Sequence, residues 1–160
     1  MKKILTIGII CQDSKILLGL KLRGFGTGRW NGPGGKFEEE KDKNVEESFK
    51  RETLEESMLT IGQTEKVGFI EFEFADEPGE IRETHIFRGL DYEGQPKDGE
   101  EMKWQWFDKK EIPYDNMWKA DQFWLPLVLE GKKICGRFLY DSKESMNIIS
   151  QNLWEVDKIK

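Results

Sequence analysis

The sequence predicts an α+β or mixed-sheet layered domain. Three observations support this fold class. Short β-rich runs separated by turn residues recur along the chain, and most are spaced for antiparallel pairing. Two helix-like segments lie far apart in sequence. The 160 residues, 37% of them hydrophobic and 35% charged, suffice for one domain with a buried core. Antiparallel strands combined with separated helices are typical of a layered α+β domain.

The first half of the chain predicts a hairpin, a loop and a helix. Residues 4–10 and 16–22 are apolar runs joined by a polar turn, which favours two paired strands. Residues 23–35 hold six glycines and a proline, so we expect a long loop. Residues 43–57 have the spacing of a helix.

The second half predicts four more strands and a second helix. Alternating or β-rich runs indicate strands at residues 67–74, 84–90, 102–107 and 138–140. Residues 121–130 indicate a helix, with Pro126 near its start, where proline is tolerated. The pattern assigns no structure to the tail after the strand at residues 138–140.

Composition excludes several classes of function. The net charge of −6 argues against binding to a nucleic-acid duplex, and no apolar run approaches the roughly 20 residues that span a bilayer. The only cysteines, Cys11 and Cys135, form neither a disulfide framework nor a zinc site. Without an export signal, we expect a cytoplasmic protein. An acidic protein still binds polyphosphate when a divalent cation neutralises the contact.

The helix at residues 43–57 carries an unusual set of carboxylates. Glu52, Glu55 and Glu56 are three and four residues apart, so they project to one side, on the face that continues from Val45 and Phe49. Adjacent carboxylates repel one another, and Mg²⁺ or Mn²⁺ relieves that repulsion by accepting their oxygens as ligands. Arg51 precedes Glu55 by four residues and is placed to orient it. A solvated acidic face is the alternative.

Together with the preceding glycine pair, this helix resembles the Nudix box of the Nudix hydrolases, G-x5-E-x7-R-E-U-x-E-E-x-G-U. Gly35 matches the opening glycine, residues 51–56 match R-E-U-x-E-E in spacing, and Leu59 matches the closing aliphatic residue. The chain departs from the motif in four ways: Lys43 occupies the position of the first glutamate, the loop is two residues longer, and Thr53 and Met58 replace an aliphatic residue and a glycine. In the family the first glutamate pairs with the arginine, and we hypothesise that Glu47 takes that role here.

Further matches over residues 4–140 resemble the Nudix subfamily that hydrolyses oxidised purine nucleotides such as 8-oxo-dGTP to the monophosphate and pyrophosphate. The resemblance implies a single domain over residues 1–160, an α/β/α sandwich with a mixed sheet between helices, and a Mg²⁺ cofactor, with Mn²⁺ as an alternative. It implies catalytic roles for Arg51, Glu52, Glu55 and Glu56. It implies metal ligation by Gly35, Glu52, Glu55, Glu56 and Glu101.

The same resemblance implies a substrate pocket with aromatic walls and a few polar groups. The implied substrate-binding residues are Thr6, Lys21, Phe25, Asn31, Phe72, Phe74, Trp118 and Asp121. For most of these aromatic residues an ordinary core role is the alternative, and for Asp121 it is capping of the next helix. The related enzymes carry two adjacent aspartates where this chain has Ala120 and Asp121, so we predict a narrower or shifted base preference.

Two other functions stay open on the sequence. One is a Nudix enzyme with a different substrate, such as a nucleotide sugar or a dinucleoside polyphosphate. The other is a non-catalytic nucleotide-binding module, suggested by Lys43, Thr53 and Met58. We expect a monomer whose partner is a small-molecule nucleoside triphosphate, with no membrane partner. The single histidine, His85, lies in a predicted strand and is expected to be structural.

Overall fold

The computed structural model describes residues 1–159, which form ten strands, two α-helices and one 3₁₀ turn. The strands are β1 (Lys2–Gln12), β2 (Lys15–Lys21), β3 (Trp30–Asn31), β4 (Thr60–Ile61), β5 (Thr64–Phe74), β6 (Ile81–Gly89), β7 (Tyr92–Glu93), β8 (Met102–Asp108), β9 (Lys133–Tyr140) and β10 (Ile148–Val156). The helices are α1 (Val45–Ser57) and α2 (Asp121–Leu129), and the 3₁₀ turn is Tyr114–Asn116.

Eight strands make one mixed sheet in the order β10-β9-β5-β6-β1-β2-β3, with β8 also paired to β2, and β4 pairs separately with β7. The pairs β1–β6 and β5–β9 are parallel, and the others are antiparallel. The predicted hairpin is real but short. Strands β1 and β2 pair only at Cys11↔Ile16 and Gln12↔Lys15. β1 pairs instead with β6 from Lys2↔Ile81 to Ile10↔Gly89.

The two helices cover opposite faces of the sheet, which confirms the predicted sandwich. Neighbouring residues of β1 show this, because side chains alternate between the faces of a strand. Ile9 belongs to the apolar cluster that contains Trp124 of α2. Ile10 belongs to the cluster that contains Phe49 of α1.

Helix α1 begins two residues later than predicted, because Asn44 caps it by accepting a hydrogen bond from the Glu47 N–H. Its buried stripe consists of Ser48, Phe49, Thr53 and Ser57. Glu52 and Glu56 are partly buried on the side of the helix that carries Phe49, whereas Glu55 is exposed.

The last quarter of the chain departs most from prediction. Helix α2 ends at Leu129, and β9 begins at Lys133 rather than residue 138. The unassigned tail supplies β10, an edge strand paired only with β9. Its side chains are mostly exposed, so it lacks the apolar alternation that identifies a strand. Within residues 1–159, no helix is long and apolar enough to cross a membrane.

Candidate active site

A cavity of about 260 Å³ joins the glutamate-bearing helix to a group of aromatic side chains. Most of the predicted site residues line it: Thr6, Lys21, Phe25, Asn31, Gly35, Glu56, Phe72, Trp118 and Asp121. Met102 and Arg82 line it as well. One cavity thus connects the predicted phosphate chemistry with the predicted base pocket.

Arg51 organises the carboxylates outside the cavity. Its guanidinium donates to both oxygens of Asp42, at 2.7 Å from Nε and 2.8 Å from Nη2. Its Nη1 donates to Glu52 at 3.1 Å and to Glu55 at 3.2 Å. A bidentate arginine–carboxylate pair is geometrically specific, so Asp42 fixes the plane of the guanidinium that orients both glutamates.

Asp42 is the partner that the sequence analysis missed, and the hypothesis for Glu47 was wrong. Glu47 is exposed in the first turn of α1, where its backbone N–H satisfies the Asn44 cap. Asp42 is buried, and its hydrogen bonds from Arg51 hold its pKa at about 2, below the ordinary value of 3.8. The longer loop turns back on itself, with the Asp42 N–H donating to Glu38 O at 2.8 Å. In the family motif the carboxylate that pairs with the arginine would stand at position 43. With the longer loop, it stands at position 42.

Glu56 is the buried carboxylate of the site. Its Oε1 accepts a hydrogen bond from the Gly34 N–H at 3.2 Å, and burial raises its pKa to about 8. Burial also raises the pKa of Glu52. The glycine pair admits these side chains, because a Cβ on Gly35 would lie 2.5 Å from Glu52 Cδ. Gly34 has a φ of 147°, and its Cβ would lie 2.1 Å from Thr6 O.

The donors around this glycine pair fit a divalent cation by type. Glu52, Glu55 and Glu56 offer only oxygen, which Mg²⁺ and Mn²⁺ prefer, and the bare Gly35 leaves room beside Glu52. No three His, Cys, Asp or Glu side chains within residues 1–159 converge closely enough to form a ready metal cluster. Two of the glutamates, Glu52 and Glu55, are held by Arg51. Glu101 is 3.4 Å from Arg23 Nη2 and largely exposed.

The aromatic end of the cavity is built by a glycine-rich loop and the segment before α2. The rings of Phe25 and Trp118 meet edge to face, with centroids 5.2 Å apart. Phe72 lines the cavity from β5 and stacks on Phe138 at 5.7 Å. Phe74 does not line the cavity. It is buried behind the wall, against Tyr140 at 5.4 Å and Phe25 at 6.4 Å, so it supports Phe25.

Asp121 is fully buried in the same cavity. Its Oδ1 accepts from Trp124 Nε1 at 2.9 Å, while Oδ2 has no hydrogen-bond partner in the described part of the chain. Burial raises its pKa to about 7. The capping alternative was wrong, because Ala120 occupies the cap position and no side chain caps the helix. Asn31 accepts from the Gly32 N–H at 2.9 Å, leaving its amide NH₂ for a ligand.

His85 and Arg82 differ in their relation to the cavity. His85 lies outside the cavity lining and packs on Phe69 at 5.0 Å, and burial lowers its pKa to about 4. Arg82 lines the cavity but was not predicted. It precedes the strand predicted at residues 84–90, whereas the observed strand begins at Ile81, so the sequence carried no signal for it.

Comparisons with known proteins agree with this geometry. A profile described as the NUDIX domain matches residues 2–128. The chain is similar to the oxidized purine nucleoside triphosphate hydrolase of Mus musculus, with 43% identity covering 97% of this chain and 96% of the relative. It is similar to the Danio rerio protein of the same name, with 42% identity covering 98% and 97%. Among solved structures, the MutT protein of Bacillus halodurans superposes with a TM-score of 0.82 and 27% identity, covering 94% of this chain and 97% of that one.

Proposed function

Because this chain belongs to the Nudix family of hydrolases, we propose that it hydrolyses oxidised purine nucleoside triphosphates such as 8-oxo-dGTP. The products are the nucleoside monophosphate and pyrophosphate, so the reaction removes damaged nucleotides from the pool. One observation carries the proposal: a single cavity is lined by Glu56 and the glycine pair as well as by Trp118, Asn31 and Asp121. The names of the two curated relatives support the substrate class.

Nudix hydrolases generally need divalent cations, and we take the cation here to be Mg²⁺, with Mn²⁺ as an alternative. The residues that would hold it are Gly35, Glu52, Glu55, Glu56 and Glu101. When bound, the cation neutralises the phosphate oxygens and activates the attacking water. Of this set, Glu56 and Glu52 lie closest to the glycine pair and are the direct ligands we favour.

The protein's own groups position the reactants. Arg51 holds Glu52 and Glu55 and is itself held by Asp42, so it acts as a positioning residue. Glu52, Glu55 and Glu56 are also the candidates that accept a proton from the attacking water. Lys21 lines the cavity near Glu56 and supplies a positive charge for the triphosphate.

The base pocket combines flat apolar walls with a few polar groups, as nucleotide sites commonly do. Trp118, Phe25 and Phe72 provide the walls. Asn31 offers donors, and the free Oδ2 of Asp121 accepts a hydrogen bond from the base or, when protonated, donates one. Thr6 lines the cavity, and its Oγ1 accepts a hydrogen bond from the Gly35 N–H at 3.2 Å. This hydrogen bond connects the base pocket to the glycine pair beside the glutamates.

The test is a pyrophosphate-release screen with Mg²⁺ across 8-oxo-dGTP, 2-hydroxy-dATP, dGTP, a nucleotide sugar and a dinucleoside polyphosphate, run beside Glu56→Gln. We expect the oxidised purine nucleotides to give the highest kcat/KM and Glu56→Gln to abolish most activity. Glu47→Gln, on the exposed side of the same helix, is the matched control. A preference for the nucleotide sugar or the dinucleoside compound would replace the proposed substrate. Full activity of Glu56→Gln would overturn the site.

We further propose that the enzyme acts as a monomer in the cytoplasm. Light scattering coupled to size-exclusion chromatography tests the first statement, since a monomer has a mass of 18.8 kDa. Localisation of the tagged protein in cells tests the second. A dimer mass, or accumulation in another compartment, would overturn the corresponding statement.

A further inference from the structure

Arg82 places a guanidinium on the wall of the cavity, at its aromatic end. It projects from β6, and its side chain is only 12% exposed. Its Cζ lies 4.8 Å from the centre of the Phe25 ring and 5.2 Å from that of Phe74. These cation–π contacts fix the plane of the group without using its N–H donors.

Those donors have few acceptors. Within residues 1–159, Nε is buried without a hydrogen-bond partner. Nη2 reaches Glu80 only at 3.5 Å. Glu80 also faces Lys3 at 3.2 Å and Lys143 at 3.7 Å, and Lys143 pairs more closely with Glu77, at 2.7 Å, so three cations share two carboxylates. This end of the cavity therefore keeps an excess of positive charge and unsatisfied donors.

Asp121 and Asn31 lie on a different side of the base pocket from Arg82. Both line a small adjoining cavity together with Ile7, and Arg82 does not. Ile7 pairs with Ile86, which is four residues beyond Arg82 on β6, or about 13 Å along the strand at the usual rise per residue. A base in the cavity thus meets a carboxyl and an amide on one side and a guanidinium on another.

We propose that Arg82 is a specificity-determining residue that donates a hydrogen bond to a carbonyl oxygen on the base edge remote from Asp121. 8-Oxoguanine carries such an oxygen on its imidazole ring, beside N7–H and opposite the edge that bears N1–H and the exocyclic amine. Unmodified guanine has C8–H at that position, which neither accepts a hydrogen bond nor attracts a cation, although its neighbouring N7 is an acceptor. A guanidinium that faces position 8 rather than N7 therefore favours the oxidised base. This inference rests on the proposed function, because it takes the occupant to be an oxidised purine.

The test compares Arg82→Met, which keeps an unbranched chain of similar length, with Arg82→Lys, which keeps the charge. Lys143→Met is the matched control, because Lys143 also lies near Phe25, at 5.7 Å, and near Glu80 but does not line the cavity. Titration calorimetry with 8-oxo-dGMP and dGMP gives the affinity ratio for each protein. Circular dichroism and thermal melting establish that each variant folds. Binding of the monophosphates requires no hydrolysis.

We expect Arg82→Met to lower the affinity ratio of 8-oxo-dGMP to dGMP by about tenfold or more, as for the loss of a charged hydrogen bond. We expect Arg82→Lys to recover part of it and Lys143→Met to change it less than twofold. An equal loss for both nucleotides, an unchanged ratio, or the same loss in Lys143→Met would overturn the inference. If the wild type binds 8-oxo-dGMP selectively but hydrolyses no triphosphate, the proposed function fails while this inference stands.

Discussion

Asp42 and Arg51 form a bidentate ion pair, 2.7 and 2.8 Å long, which joins the inserted loop to the carboxylate-bearing helix. The pair fixes the orientation of the Arg51 guanidinium. Because that guanidinium also donates hydrogen bonds to Glu52 and Glu55, the pair sets the positions of both glutamates. The chain lacks the first glutamate of the Nudix box at the expected position, yet its arginine is still neutralised. The departure at Lys43 is therefore no argument against catalysis.

Replacing Asp42 tests this positioning role. We expect Asp42→Asn to lower kcat/KM about 10–100-fold, the usual cost of losing a group that orients metal ligands. The Mg²⁺ concentration for half-maximal activity should rise with it, a shift that a merely structural residue would not produce. Steady-state kinetics over a Mg²⁺ titration measure both. Equal losses in Asp42→Asn and the control Glu47→Gln would contradict the role.

The same pair predicts an acid-dependent contribution to stability. The pKa of Asp42 is lowered to about 2 in the folded protein from its ordinary value of 3.8, so the folded state favours the charged form. This stability is fully present above about pH 4 and is lost as the pH falls towards 2. Urea unfolding of the wild type and Asp42→Asn should therefore converge over that range. A constant difference between them would disprove the linkage.

Asp121 predicts the opposite dependence. Its pKa is raised by burial to about 7, so between about pH 4 and pH 7 the folded protein binds more protons than the unfolded chain. The contribution of Asp121 to stability should fall as pH rises through that window and level off above it. Asp121→Asn should make the fall between pH 4.5 and pH 8 smaller but should not remove it, because burial also raises the pKa of Glu56, to about 8. Urea unfolding at the two pH values measures the difference. Asp115→Asn, an exposed acid nearby, should keep the wild-type dependence.

Met58 predicts a stabilising substitution. It ends α1 in the left-handed region, at φ 70° and ψ 12°, and its side chain is 57% exposed. Glycine adopts this conformation without strain, so Met58→Gly should raise the free energy of unfolding by about 0.5–1 kcal/mol. Chemical denaturation measures the change. Met58→Ala, which keeps a Cβ at the same φ, is the control and should give no such gain. A destabilised Met58→Gly would show that packing of the side chain outweighs the strain.

The single aspartate at positions 120 and 121 predicts an unequal preference between oxidised bases. Ala120 is fully buried beside Asp121, so this position offers the base one acid where the family resemblance implies two adjacent aspartates. We expect unequal kcat/KM values for 8-oxo-dGTP and 2-hydroxy-dATP, because one carboxyl cannot present the proton arrangements of two. Competition assays with both nucleotides and dGTP measure the preference. Equal, high activity on both oxidised nucleotides would refute it.

What the sequence alone determined is the local chemistry. Helical spacing put Glu52, Glu55, Glu56 and Arg51 on one side of α1, because residues three and four apart neighbour one another in any helix. The mixed sheet between helices and most strands followed from periodicity and from the family resemblance. The metal ligands and the base-binding roles stay predictions.

Only the tertiary structure decided which distant groups meet. Asp42 reaches Arg51 because the inserted loop turns on Glu38, and nothing in residue spacing predicts how a loop closes. Phe74 falls behind the cavity wall and Arg82 onto it, because strand pairing sets which residues of β5 and β6 lie over the cavity. β10 exists through its pairing with β9, since its own exposed residues lack an apolar pattern. Each of these outcomes depends on long-range packing, whereas the carboxylate face depends only on the pitch of a helix.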